Sequence, residues 1–172
     1  MANTYVLIAS NTLSSSAASV TFSSIPSTYT DLVLRVSART NDTGPENLQI
    51  YFNTDTATNY STTYLQGNGA SATSARYTSQ SVIQNPNTVE GTTYTSNTFG
   101  SIEIYIPSYT ASQNKPVSLS GASENNATTA YINNGAGLWR NTAAITQIVI
   151  DQSGANFVSV SSFFLYGIKA TA

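Results

Sequence analysis

The sequence contains no cysteine and no histidine, and only 8% of its 172 residues are charged, against about 25% in an average soluble domain. Without cysteine there are no disulfides, zinc–thiolate sites or thiol nucleophiles. Without histidine there is no imidazole base, no Ser-His-Asp triad and no histidine ligand for a metal. Because the net charge is −2, a surface that binds nucleic acid electrostatically is not expected either.

Long apolar runs are also missing. No stretch approaches the roughly 18 consecutive apolar residues of a transmembrane helix. The N-terminal segment MANTYVLIAS has no basic region and only a short apolar run, so it does not resemble a secretory signal. We therefore expect no membrane partner, and the initial methionine indicates a complete product that is made in the cytoplasm.

Neutral polar residues take the place of the missing charges. Serine, threonine and asparagine make up about two-fifths of the chain, and such residues suit strands and turns better than helices. Hydrophobic residues make up 40% and aromatic residues 10%, which is enough for a core and too much for a disordered chain. At this length a single domain, residues 1–172, is expected.

Apolar residues recur with period two along much of the chain, which predicts half-buried strands. The clearest segment is Ser101–Ile106, where Ile102, Ile104 and Ile106 face one way. We predict an all-β fold, a two-sheet antiparallel sandwich of jelly-roll type. Residues 1–10 form either its first strand or an extended arm. Further strands are predicted at Thr4–Ser10, Ala18–Ser23, Leu32–Ala38, Leu48–Phe52, Arg76–Ile83, Val117–Ser120, Ala130–Asn133, Ile145–Asp151 and Asn156–Ile168.

The middle of the chain has the weakest pattern. Residues 54–101 are rich in threonine, serine, asparagine and glycine, which predicts one or two long loops, either a site of recognition or solvated hairpins with no role. Turn chemistry also predicts turns at Asn85-Pro86-Asn87 and at Asn133-Asn134-Gly135.

Candidate catalytic groups are few, and we predict no catalytic residue, no metal and no cofactor. A glycoside hydrolase needs two carboxylates that flank the sugar, and Asp31, Asp55 and Glu103 are the carboxylates we consider for a polysaccharide depolymerase. Oxygen-bearing residues at 53–59, and Asp42 with Glu46, resemble calcium ligands in type. Their spacing matches no complete calcium loop.

Aromatic residues are the best candidates for contact with a partner. Tyrosine offers flat amphipathic area, and asparagine offers amide donors and acceptors, which together suit a neutral glycan or a protein surface. The alternative is that tyrosine serves as a strand former, and that Trp139 is a core or interface anchor. The candidate contact residues are Tyr60, Tyr64, Tyr77, Tyr94 and Trp139.

Two terminal segments carry a resemblance. Leu13–Ala38 reads LSSSAASVTFSSIPSTYTDLVLRVSA, and Ile145–Lys169 reads ITQIVIDQSGANFVSVSSFFLYGIK. Together they cover about a third of the chain. They resemble the opening and closing strands of small jelly-roll virion proteins of tailed phages, cyanophages among them, which serve as capsid cement (decoration) proteins or as parts of tail fibres.

The resemblance implies a jelly roll in which the first and last strands lie near each other. The expected core then draws on both ends of the chain and buries mainly large aliphatic and aromatic side chains. Its predicted members are Val20, Phe22, Leu32, Leu34, Val36, Ile148, Ile150, Phe157, Phe163, Leu165 and Ile168.

For function, the resemblance implies a non-enzymatic capsid decoration protein that binds the major capsid protein on the outer shell and stabilises it. Such a protein would be made in the host cytoplasm, would be located on the capsid surface of the virion, and would act as a homotrimer. The alternative is a tail-fibre or receptor-binding module that recognises a host surface glycan.

Overall fold

The computed structural model describes residues 4–126 and 129–169. This part of the chain contains twelve strands and no α-helix, and the strands form two antiparallel sheets. The all-β two-sheet prediction is confirmed. No helix that could cross a membrane occurs in the described ranges. The strands are β1 (Tyr5–Thr12), β2 (Val20–Phe22), β3 (Asp31–Ala38), β4 (Glu46–Phe52), β5 (Tyr60–Gly67), β6 (Ala72–Gln80), β7 (Ile83–Val89), β8 (Gly100–Ile106), β9 (Lys115–Ser123), β10 (Tyr131–Trp139), β11 (Ile148–Gln152) and β12 (Ser162–Ile168).

The larger sheet has eight strands in the order β1-β12-β3-β8-β9-β10-β5-β6, and the smaller has four in the order β2-β11-β4-β7. Every strand of the smaller sheet is preceded and followed in sequence by strands of the larger one. The chain therefore crosses between the sheets repeatedly. The first and last strands pair with each other, as expected. Because a jelly roll has eight strands and this sandwich has twelve, the jelly-roll assignment stays a prediction.

Period-two patterning decides which side chains enter the core. In β8, Ile102, Ile104 and Ile106 are buried between the sheets, while Ser101 and Glu103 point outward. Successive side chains of a strand point to opposite faces, so this alternation fixes the register of the strand. All the predicted core residues are buried except Ile168, which is half-buried on the last strand.

The predicted long loop at residues 54–101 is wrong, because β5, β6 and β7 lie there. The alternative of a solvated hairpin is correct for β5 and β6, which pair antiparallel and leave β6 mostly exposed. The two asparagine-rich turns are also wrong, since Asn85-Pro86-Asn87 lies within β7 and Asn133-Asn134-Gly135 within β10. Contacts between strands override the local turn signal. The carbonyl oxygen of Pro86 accepts hydrogen bonds from Gln66 of β5 and Asn133 of β10.

The N-terminal segment forms a strand of the sandwich from Tyr5 onward. Of the two alternatives for residues 1–10, the first strand is therefore correct for the described part. Residues 1–3, 127–128 and 170–172 lie outside the described ranges. The prediction of one domain over residues 1–172 therefore includes residues that the structure does not describe.

Candidate functional site

One face of the eight-stranded sheet packs against the four-stranded sheet, and the other, here called the open face, points away from it. In the described ranges no strand covers the open face. Val33, which lies opposite Tyr105 and Tyr166 on this face, is buried. Most of the other central side chains alternate with the buried ones and are exposed. From β3 to β5 these central side chains are Arg35, Ser37, Ser101, Glu103, Ser118, Ser120, Asn134 and Thr63.

The centre of the open face is small and polar. Arg35 and Glu103 are paired across β3 and β8, and the Arg35 guanidinium forms a 2.9 Å salt bridge to Oε2 of Glu103. Their side chains are 58% and 48% exposed, so this pair contributes little to stability. The hydroxyls and short side chains around it form a nearly neutral floor.

Exposed apolar side chains lie towards both ends of this face, on the edge strand β1 and on β10 and β5, which are followed by the polar edge strand β6. The β1 border consists of Tyr5 and Leu7, and the β10 border consists of Leu65 on β5 and Ile132 on β10. All four side chains are between 50% and 60% exposed. Four of the five large hydrophobic side chains that are exposed in the described ranges therefore lie on this one face. The fifth, Val160, lies in the loop before β12.

Two shallow concavities lie on the open face. The larger, about 480 Å³, runs between Phe164 of β12 and Ile132 of β10, over a floor that includes Ser101, Ser120 and the Arg35–Glu103 pair. The smaller, about 260 Å³, is lined by side chains that include Tyr105, Pro116 and Ala136. Both concavities suit a protruding side chain of another protein better than an enclosed small molecule, since small-molecule sites are usually deep and enclosing.

The structure corrects two of the five predicted contact residues. Tyr60 and Trp139 are fully buried, with their rings stacked at 6.2 Å and Phe52 against both. The Tyr60 hydroxyl donates to the carbonyl oxygen of Asp55 at 3.0 Å, and burial raises its pKa. Both residues belong to the core instead of a contact surface.

Tyr64 and Tyr77 form a second aromatic pair near the β6 edge. Their rings stack at 5.8 Å, and their hydroxyl oxygens are 3.3 Å apart. The hydrogen bond to Tyr77, together with burial, raises the pKa of Tyr64 to about 12, so the Tyr64 hydroxyl remains protonated at neutral pH. Tyr94 lies apart from this pair, in the loop between β7 and β8, and the proposed contacts of all three residues stay predictions.

The carboxylates considered for catalysis are engaged by separate partners. Asp31 accepts hydrogen bonds from Tyr105 and from the backbone of Ser108, and Glu103 pairs with Arg35. Asp31 lies four positions from Arg35 on β3, or about 13 Å along the strand, and Arg35 is the residue directly opposite Glu103.

The oxygen atoms considered for calcium are also occupied by protein donors. Oδ1 of Asn53 accepts from the backbone of Thr146 and Gln147, and Oδ1 of Asp42 accepts from the backbone of Gly44 and Thr43. These bonds hold the pKa of Asp42 below its usual value. Within the described ranges no group of three or more acidic side chains converges.

One buried carboxylate was not singled out from the sequence. Glu90 is fully buried after β7, and its Oε2 accepts a 3.3 Å hydrogen bond from Asn125. Arg39 forms a parallel bridge with Glu90, yet its guanidinium donates to carbonyl oxygens of the 94–98 loop. Burial raises the pKa of Glu90, against the effects of Asn125 and the Arg39 charge. Two strand ends and the loop thus meet at this cluster.

The border residues of the open face were also missed. An outward apolar residue on a strand looks the same in sequence as an inward one until the register is known. The signal in the sequence was that Leu65 and Ile132 share a strand face with polar residues two positions away, but this becomes visible only once the strand pairing is known.

Comparison with known proteins adds no relative. A scan of protein-family models, a search of curated proteins and a search of solved structures each gave no match to this chain.

Proposed function

We propose that this protein is a non-enzymatic structural protein of a phage virion, a capsid decoration protein that attaches to the outer shell and stabilises it. The observation that supports the proposal is the open face, with a nearly neutral floor and apolar side chains at both borders. Exposed apolar area with polar surroundings is typical of surfaces that bind proteins. The resemblance of the terminal segments to small virion proteins is the reason for proposing that the partner is a phage capsid.

The proposed mechanism is added buried surface without chemistry. A homotrimer on the capsid surface would contact several copies of the major capsid protein at once. Linked contacts of this kind raise the overall affinity by about 10²–10⁴ over a single contact. The shell would then resist internal pressure because each decorated site must lose several contacts before it opens.

The test is cryo-EM of the phage particles whose genome carries the gene. Density for this sandwich at regular positions on the outer shell is expected, and density on the tail alone would contradict the proposal. In a parallel experiment, particles lacking the protein are heated and genome release is followed by a DNA dye. Addition of the purified protein should raise the release temperature.

A second candidate, a tail-fibre module that binds a neutral host glycan, is supported by the stacked Tyr64–Tyr77 pair. Aromatic faces with nearby hydroxyls suit sugar rings. A glycan array with the purified protein tests it, with Tyr77→Ala as the variant and Tyr51→Ala, on the other sheet, as the control. Binding that is lost only in Tyr77→Ala would favour this candidate, and no binding at all would remove it.

A further inference from the structure

The two apolar borders of the open face cannot cover each other within one chain. Five inter-strand intervals separate β1 from β10, which amounts to about 24 Å at about 4.8 Å per interval. Each border nevertheless exposes two large apolar side chains. Their burial therefore requires another molecule.

We infer that this molecule is a second copy of the chain, and that the β10 border of one copy packs on the β1 border of the next. A head-to-tail contact of this kind buries both borders through a single type of junction, and a closed ring leaves neither border exposed. A two-fold contact of one border with itself buries only that border. The inference rests on the trimer part of the proposed function for its copy number.

The charges on the open face favour the same arrangement. Arg76, on β6 beside the β10 border, is exposed. Asp31 pairs with Ile168, which in turn pairs with Tyr5 of the β1 border. The two borders are thus flanked by opposite charges, which attract each other across a head-to-tail junction and repel across a like-with-like contact.

The centre of the face argues against face-to-face packing of two copies. Such packing would remove Arg35 and Glu103 from water, although they are 58% and 48% exposed, and desolvation of a pair often costs more than its attraction returns. It would also place the serine floor against another serine floor, with little apolar contact. A ring that meets only at the borders leaves the pair hydrated.

Light scattering coupled to size exclusion tests the inference on the purified full-length protein. The wild type should elute as a closed oligomer of three chains. Leu7→Asp and Ile132→Lys should each give folded monomers with unchanged circular dichroism. Val160→Asp, at the fifth exposed hydrophobic position and outside the open face, is the matched control and should assemble like the wild type.

The double variant Leu7→Asp with Ile132→Lys distinguishes the two kinds of contact. In a head-to-tail junction the introduced aspartate of one copy meets the introduced lysine of the next, so assembly should return at low salt. In a two-fold contact of one border with itself like charges meet, and the double variant would stay monomeric. A two-fold contact that joins the β1 border to the β10 border twice gives a dimer, so a dimeric wild type also overturns the inference. A monomeric double variant, a monomeric wild type or an unaffected Leu7→Asp oligomer overturns the inference.

Failure of the inference can be separated from failure of the proposed function. A ring in solution that does not bind capsid particles supports the junction and removes the decoration role. A monomer that binds the particles overturns the junction and leaves the decoration role standing.

Discussion

The indole Nε1 of Trp139 donates a 2.8 Å hydrogen bond to Oδ2 of Asp55. This bond joins the end of β10 to the turn after β4, 84 residues away in the sequence. The same carboxylate accepts from the backbone of Ala57 and from the Asn59 amide, each at 3.0 Å. Asp55 therefore organises a turn and satisfies the only indole N–H of the core.

Replacement of Asp55 by alanine should destabilise the fold by about 1–3 kcal/mol, because a buried N–H then loses its acceptor. Urea denaturation followed by far-UV circular dichroism measures the change, because Trp139 is the only tryptophan and half of the variants below lack it. In a double-mutant cycle with Trp139→Phe, the two effects should fail to add, with a coupling of about 0.5–3 kcal/mol. Additive effects would mean that the bond contributes nothing of its own.

Protonation of the Asp55 carboxylate should lower the stability of the fold in acid. Burial alone would raise the pKa of Asp55, but hydrogen bonds from Asn59, Trp139 and Ala57 hold it below the usual 3.8. A depressed pKa gives stability that is present above the unfolded value and lost as pH falls through the folded one. Unfolding free energies measured between pH 5 and pH 2 should fall less steeply in Asp55→Asn than in the wild type.

The buried carboxyl group of Glu90 should give the opposite dependence of stability on pH. Its pKa is raised above the usual 4.5 by burial, so its contribution is fully present below that value and is lost as pH rises through the folded pKa. The facing groups are Arg39, Glu124 and Asn125. Glu90→Gln keeps the shape and removes the titration.

The measurement for Glu90 is the melting temperature at several pH values from 4 to 8. The wild type should lose stability relative to Glu90→Gln as pH rises over this range. Glu124→Gln, at an exposed neighbour, serves as the control and should follow the wild type. Parallel curves for wild type and Glu90→Gln would contradict the prediction.

Strands with a clear apolar period could be predicted from the sequence, and the polar half of the sandwich could not. In β8 the period-two pattern matches burial along the whole strand, and in β3 it does so except at Val33, which is buried although its neighbours on both sides are buried too. In β7 the buried residues include Asn85 and Thr88, whose side chains look like turn residues. Their placement follows from the pairing of β7 with β4, in which Asn85 lies opposite Leu48, and local propensity does not contain that information.

The candidate contact residues show the same limit. Tyr60 and Trp139 stack on each other because β5 and β10 are paired neighbours, a relation that no local window contains. Gly137 belongs to a strand for a similar reason. A side chain there would meet Ile83 of the other sheet at 2.7 Å, so the glycine-rich stretch that reads as a turn is a site of close sheet packing.

Gly100 provides the sharpest test of that packing. A Cβ atom at this position would lie 1.8 Å from the carbonyl oxygen of Thr88, a backbone atom that cannot move aside without displacing β7. Gly100→Ala should therefore destabilise the protein by at least about 2 kcal/mol, at the level of other overpacked sites. Gly44→Ala is the matched control, because nothing lies within 4 Å of its added methyl group, and it should stay within about 1 kcal/mol of the wild type. Equal urea midpoints for the two variants would show that β7 and β8 do not approach as closely as this structure has them.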